Sequence, residues 1–270
     1  MTAIWGILNV TPDSFSDGGR FMDPDTAIAR ARMLRAQGAA IIDVGGESTR
    51  PGASRVPVEE EQRRVLPVVE ALSADGIPVS IDTLNAGTAA AAARAGARIV
   101  NDVSGGLADD GMLAAVAASD ADFVIGHWRG PSGDMYARAQ YGRAAREVAN
   151  ELRARVSAAA SAGIAPSRLI LDPGIGFAKA GEQNWEVLRG LDEIIALGHR
   201  VLVGTSRKRF LAEALGVDGS DAGGDAEHRR DLATAVTSVL AARAGAWAVR
   251  VHDVAATRDA LAVVSAWDGE

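Results

Sequence analysis

The chain has 270 residues, 48% of them hydrophobic, with a formal net charge of −7 and no cysteine. That length supports one large domain with a sizeable core, or two small ones. The acidic balance argues against nucleic acid as a partner, and the missing cysteine excludes disulfides, thiol chemistry and thiolate metal sites. The opening MTAIWGILNVTPDSF lacks a charged region followed by a long apolar one, so no signal peptide is expected. No run of 18 apolar residues occurs, so no membrane span is expected either, and a cytoplasmic protein is the expectation.

In chain order, residues 3–10 read as a first strand ending at Asn9, followed by the loop TPDSFSDGGRFM. Residues 24–37 read as a helix with Asp23 as N-cap and Gly38 at its end. A second strand covers 40–44, and the loop GGESTRPGASRVP follows it. Residues 58–75 form a helix with Val65, Leu66, Val69 and Leu72 on one face. Strand three spans 78–81 and ends at Asp82. An Ala-rich helix over 86–95 leads to strand four, 98–100, ending at Asn101 and Asp102. A short helix over 111–118 precedes strand five, 122–125, which ends at His127. The loop 128–141 carries no usable motif and leads into a long helix to Ala162. Strand six is the apolar run Leu169, Ile170, Leu171, closed at once by Asp172 and a Pro-Gly turn. One helix over 185–197 follows, then strand seven, 200–203, ending near Thr205 and Ser206. A helix starts at Lys208, an acidic loop covers 217–225, and another helix covers 227–244. Strand eight, 246–251, carries Arg250 and ends at His252, and a last helix spans 254–267.

Eight strands alternating with helices through short connections are the pattern of a (β/α)8 TIM barrel built as a single domain over residues 1–270. A doubly wound open sheet is the structural alternative. In a barrel the C-terminal strand ends converge on one rim, where active sites of this architecture lie. Asn9, Glu47, Asp82, Asn101, His127, Asp172, Ser206, Arg250 and His252 stand at those ends. Any one of them has an ordinary explanation in turn chemistry, but one at nearly every strand does not. Asp82, Asn101, Asp172 and Lys208 supply the acceptors, amide and ammonium that a flat heterocycle with amino and carbonyl edges needs. The Arg250 guanidinium can stack on such a ring; an ordinary strand-end surface pair with His252 is its alternative. Asn9, Arg50, Arg250, His252 and helix N-termini form a second group suited to an anion. The two Gly-rich loops after strands one and two are lid candidates. Lys179 and Lys208 are the chain's two lysines, so each invites a question. His127 is either a packed strand-end histidine or a wall of the site. His199 and His228 read as surface residues, and no His/Asp cluster has the spacing of a protein-held zinc.

Seven motifs then occur in order: NVTPDSFSDGG from Asn9, GGESTRPG from Gly45, SIDT from Ser80, NDVSGG from Asn101, DPGIGFAK from Asp172, GTSRKRF from Gly204 and RVHD from Arg250. Together they resemble the dihydropteroate synthases, the folate-pathway enzymes that sulfonamides target, over essentially the whole chain. The resemblance implies condensation of 6-hydroxymethyl-7,8-dihydropterin diphosphate with 4-aminobenzoate, a Mg²⁺ ion on the diphosphate, sulfonamide inhibitors and a homodimer. It implies that Asp82, Asn101, Asp172 and Lys208 hold the pterin, with Arg250 stacking on it. Asn9, Arg50, Arg250 and His252 would hold diphosphate, with Asn9 also on Mg²⁺. Phe15, Thr49, Phe177 and Ser206 would form the aminobenzoate pocket, and Asp17 would face the reacting carbon. Three alternatives remain on the sequence: a pterin-binding methyltransferase module, a Schiff-base aldolase using Lys208 or Lys179, and a non-catalytic pterin-binding paralogue.

Overall fold

Short apolar runs become strands and longer amphipathic runs become helices along the chain. The computed structural model describes residues 2–11, 24–47, 56–130, 135–217 and 224–269. Among these residues eight parallel strands close into a barrel in chain order. They are β1 (Ala3–Asn9), β2 (Ile41–Gly45), β3 (Val79–Asp82), β4 (Ile99–Asp102), β5 (Asp122–Gly126), β6 (Leu169–Asp172), β7 (Arg200–Val203) and β8 (Ala248–Val251). Closure comes from β8 pairing with β1, Ala3 opposite Ala248 and Gly6 opposite Val251.

The helices lie between the strands in sequence. They are α1 (Pro24–Ala36), α2 (Val58–Ala74), α3 (Ala86–Arg94), α4 (Met112–Ala117) and α5 (Ala144–Ser161) in the first part of the chain. α6 (Glu182–Arg189), α7 (Leu191–Ile195), α8 (Arg209–Leu215), α9 (Gly224–Arg243) and α10 (Val254–Asp268) complete the ring. The single helix expected over 185–197 is two, α6 and α7, parted at Gly190. Glycine is a weak helix former. It is also needed there, because a Cβ on Gly190 would stand 2.5 Å from Ala145 Cβ of α5. Strand eight is shorter than expected, since Ala246 caps α9 rather than joining the sheet. The Asp23 cap lies outside the described residues.

Two apolar layers hold the barrel. The larger one packs helix faces on the outer sides of the strands, for example Val65, Val69 and Leu72 of α2 with Ile42 and Val44 of β2. The smaller one fills the barrel: Trp5, Ile99, Val124, Ile170, Leu202 and Ala248, joined by Ile41. Side chains alternate sides along a strand. Two residues past this plug, on the same inward face, come Asp43, Asn101, Asp172 and Arg250. The plug is therefore the floor of the site and sets which residues stand above it.

Candidate active site

The inward layer above the plug is polar on five strands, through Asp43, Asp82, Asn101, Asp172 and Arg250. Arg250 lies at its centre, with a side chain 16% exposed. Its Nη2 donates to Asp82 Oδ2 at 2.5 Å and its Nε to Asp43 Oδ2. The surface-pair alternative for Arg250 is thereby excluded. Asn101 Nδ2 donates to the same Asp43 oxygen at 3.1 Å. The other oxygens, Asp43 Oδ1 and Asp82 Oδ1, are buried and accept no hydrogen bond from the described residues. Burial outweighs the attraction of Arg250 and pushes the Asp82 carboxyl up, with Asp43 adding to the effect. Burial works against the Arg250 cation, but Asp43 and Asp82 more than offset it and hold its pKa above the usual value. Such orphaned acceptors in a dry layer are costly unless donors reach them.

Reading strand ends alone misses Asp43. It sits in the middle of the run IIDVG, and a charged residue there is the available signal. Gly45 follows it. A Cβ on Gly45 would stand 3.8 Å from both Asn9 Oδ1 and Asp82 Oδ2, so Asn9 joins the same rim. Asn101 and Asp102 divide by face. Asn101 points inward, whereas the buried Asp102 accepts from Ser104 N, Ser104 Oγ and Gly106 N at 2.6–2.7 Å and folds the β4–α4 loop.

The other side of the mouth is built by the β6–α6 and β7–α8 connections. Asp172 is half-buried, and its Oδ1 accepts from Gly174 N at 2.7 Å, so it also caps its own turn. Burial pushes the Asp172 carboxyl up, while Lys208 pulls against that. Gly174 has φ +63° and lies against the His127 carbonyl, where any Cβ would overlap it. Lys208 is the N-cap residue of α8. Its Nζ donates to Ile175 O and sits 4.6 Å from the centroid of the Phe177 ring. Burial brings its ammonium down to about 8. Ser206 Oγ lies 2.8 Å from His252 Nδ1 and accepts from His252 N at 3.1 Å, locking the ends of β7 and β8 together.

The structure thus gathers Asp82, Asn101, Asp172, Phe177, Ser206, Lys208, Arg250 and His252 around one mouth, with Asn9 beside Asp82. Glu47 accepts from Val56 N at 3.2 Å. Of the two readings of His127, the packed strand-end histidine holds: it is 2% exposed and bonded to Glu151 and Lys179. Phe15, Asp17, Thr49 and Arg50 lie outside the described residues.

The comparison with known proteins agrees with this geometry. The sequence profile of the family described as pterin binding enzyme matches residues 5–252. Over 264 residues the chain is 52% identical to the dihydropteroate synthase of Mycobacterium leprae, covering 97% of this chain and 92% of that one. The chain belongs to the dihydropteroate synthase family. Among solved structures, a Xanthomonas albilineans dihydropteroate synthase with 4-aminobenzoic acid superposes with a TM-score of 0.90 at 42% identity, covering 100% of this chain and 94% of that one. A Yersinia pestis dihydropteroate synthase in a sulfonamide drug complex gives a TM-score of 0.90 at 37% identity, with 100% and 95% covered. The closed barrel is thus the family's architecture, and the open-sheet alternative falls.

Proposed function

We propose that this barrel, one pterin-binding domain over residues 1–270, joins 6-hydroxymethyl-7,8-dihydropterin diphosphate to 4-aminobenzoate, giving 7,8-dihydropteroate and diphosphate. The observation that carries the reading is the pair of orphaned oxygens, Asp43 Oδ1 and Asp82 Oδ1, beside Asn101 in a dry layer above an apolar floor. A flat heterocycle with N–H groups on its edge satisfies them. Asp82, Asn101 and Asp172 accept from or pair with the pterin edge, and Lys208 donates to its carbonyl side. Arg250, already gripped by two carboxylates, offers its planar face to the ring. Phe177 and Ser206, with Phe15 and Thr49, form the aminobenzoate side. Asn9, Arg50, Arg250 and His252 hold the diphosphate, and Asp17 faces the reacting carbon.

A Mg²⁺ ion fits this donor set. Among the described residues no cluster of three acidic or His side chains exists to cage an ion. Asn9 offers a single neutral oxygen next to the Cβ-free Gly45. That suits an ion that keeps its waters and takes most other ligands from a phosphate. When bound, Mg²⁺ would balance charge on the departing diphosphate. The dihydropterin can delocalise positive charge onto its exocyclic carbon, so cleavage runs ahead of attack. The aromatic amine is neutral at pH 7 and needs positioning more than activation. No strong general base is required. Water must be kept out while the cation exists, a task for the loops carrying Asp17 and Arg50. If those loops close on diphosphate first, sulfonamides bind more tightly when Mg²⁺ and diphosphate are present, and Arg50→Ala removes the gain.

The protein acts as a cytoplasmic homodimer. No helix among the described residues is long and apolar enough to cross a membrane. The neighbouring helices α9 and α10 expose Leu232, Val236 and Leu240, spaced four apart, and Val263 and Trp267, 83% exposed. Such a stripe suits a second copy of the chain. Sedimentation of wild type and Val236→Glu tests this, a dimer in the first and a monomer in the second being expected. The activity itself is tested by diphosphate release. Release must require both substrates; release with either alone, or none with both, would refute the assignment.

A further inference from the structure

Lys208 has a task at the site, whereas the second lysine, Lys179, has none there. Lys179 is 1% exposed and has no place at the mouth. Its Nζ lies 2.9 Å from His127 Nδ1, 2.9 Å from Gly174 O and 3.0 Å from Phe177 O. An ammonium carries three N–H bonds, and all three are thereby used. Buried at 1% exposure, that nitrogen cannot be reached by a substrate carbonyl, so the Schiff-base alternative loses Lys179.

The partners continue outward. His127 Nε2 lies 2.9 Å from Glu151 Oε2 on α5. Burial and the neighbouring Lys179 charge bring His127 down to about 4, so the imidazole is neutral. Its proton then belongs on Nε2, donated to Glu151, and Nδ1 accepts from Lys179. Burial would raise the Glu151 carboxyl, but the bonds from His127 and Arg129 hold it near 2. Arg129 Nη2 donates to Glu151 at 2.5 Å and to Glu147 at 2.9 Å, and its guanidinium stacks 3.7 Å from the Tyr141 ring centroid. A polar chain therefore runs from the outer face of α5 to a turn beneath the site.

That turn needs holding. Gly174, Gly176 and Gly181 have positive φ, and so does Ala178 at +47°, a strained value for a residue with a Cβ. The two carbonyls that Lys179 binds belong to Gly174 and Phe177. Gly174 is also the residue whose N–H caps Asp172, and the Phe177 ring is the one that faces Lys208.

We propose that Lys179 is a positioning residue for the aminobenzoate side of the site. Its ammonium ties the Gly174–Phe177 turn shut and fixes the Phe177 ring against Lys208, and His127 is the acceptor that holds the ammonium in place. The proposal rests on the assignment of Phe177 to the aminobenzoate pocket. Lys179→Met removes the tie with little change in size. Two substitutions divide the role of His127. Asn places an acceptor near the Nδ1 position and keeps Lys179 bonded, whereas Gln reaches the Nε2 position and keeps only Glu151 bonded. With two charge-assisted bonds lost, Lys179→Met should raise KM for 4-aminobenzoate at least about tenfold. Pterin affinity by calorimetry should fall by less than that factor, because Asp82 and Asn101 stand on β3 and β4 away from the turn, while only Asp172 and Lys208 touch it. His127→Asn should stay near wild type in aminobenzoate KM, and His127→Gln should resemble Lys179→Met. Wild-type aminobenzoate KM in all three folded variants would overturn the proposal. So would equal loss for both substrates that tracks melting temperature. If Lys179→Met does not fold, the His127 pair decides. Amide hydrogen exchange at residues 174–178 is read on the same proteins. It should quicken in Lys179→Met while β3 and β4 stay protected, and unchanged exchange there would also overturn the proposal. Failure of wild type to release diphosphate would instead sink the assigned activity, and the exchange measurement still tests the tie.

Discussion

The two halves of the mouth are built by different means. On one side Asp43, Asp82, Asn101 and Arg250 all lie within strands, and their ladder bonds and the apolar plug below fix them. On the other side Phe177, Ser206 and Lys208 lie past the strand ends, and side-chain ties hold them in place. The strand-held half carries a charge pair inside the barrel. The loop-held half carries strained backbone and buried ammonium groups. Damage to the first should therefore appear in stability as well as binding, and damage to the second chiefly in binding and turnover.

Arg250→Met tests the first half and should have the largest effect. It leaves Asp43 and Asp82 buried beside each other without a cation. Breaking a buried pair costs about 3–5 kcal/mol, and the lower end is expected because Asp82 can take up a proton. Urea unfolding should show that loss together with a loss of pterin binding; unchanged stability would break the comparison. Lys208→Met is the counterpart on the loop-held half. It removes a charge that burial disfavours, so stability should hold or rise. Pterin affinity should fall between about tenfold and a hundredfold, as for a lost charge-assisted bond. Borohydride trapping of a covalent adduct on Lys208 during turnover would contradict its role as a donor.

The same division governs what the sequence can reveal. The strand-held residues obey period two, so the strand ends by themselves point to Asp82, Asn101 and Arg250. Asp43 obeys the same period but stands before its strand's end, where it reads as an interruption of an apolar run. The barrel is legible because eight apolar runs alternate with helical ones. The break at Gly190 is not, because it depends on Ala145 of another helix. Lys179 and His127 are 52 residues apart, and no local pattern brings an ammonium to an imidazole over that distance. The motifs shared with the family mark the turn around Phe177 without showing what supports it.

Asp172 stands at the junction of the halves, with one oxygen spent on Gly174 N. Asp172→Asn keeps the shape but turns a donor toward N–H groups. Pterin affinity should fall at least about tenfold, from the cost of unpaired donors in a dry site. Calorimetry giving wild-type affinity in a folded variant would refute its place on the pterin edge.

Acidity separates stability from binding on the loop-held half. Burial lowers Lys208 to about 8 and Lys179 to about 7 in the folded protein, against the ordinary lysine value of about 10.4. Between those values the unfolded chain binds more protons than the folded one, so stability rises with pH. With Lys208 as the proposed donor to the pterin, binding requires its ammonium and should weaken by up to about tenfold between pH 8 and 9. The free protein should therefore gain melting temperature over the same interval in which it loses pterin affinity. Parallel changes in the two measurements would remove Lys208 from the pterin edge.

The smallest effects come from moving a single methyl group on each half. Gly45 sits on the strand-held rim with no positive φ, and a Cβ there would make ordinary contacts of 3.6–3.8 Å with Asp82 and Asn9. Gly45→Ala should leave stability within about 0.5 kcal/mol, since a strand glycine gains entropy terms by the change. Its methyl would nevertheless stand beside Asn9, the residue proposed to meet the diphosphate and its ion. KM for the dihydropterin diphosphate should rise by about two- to fivefold, with KM for aminobenzoate unchanged. Ala178 is the mirror case on the loop-held half. Its φ of +47° costs roughly 1 kcal/mol, which Ala178→Gly relieves, while the freer unfolded chain takes back a similar amount. Net stability should barely move. If Lys179 holds the turn, the added freedom is suppressed and aminobenzoate KM stays at the wild-type value. If the turn is held by its own backbone instead, Ala178→Gly should raise that KM while Lys179→Met leaves it unchanged. Steady-state diphosphate release on the two methyl variants therefore asks the same question of both halves: whether the position of a site residue is set by its own strand or by a partner from elsewhere in the chain.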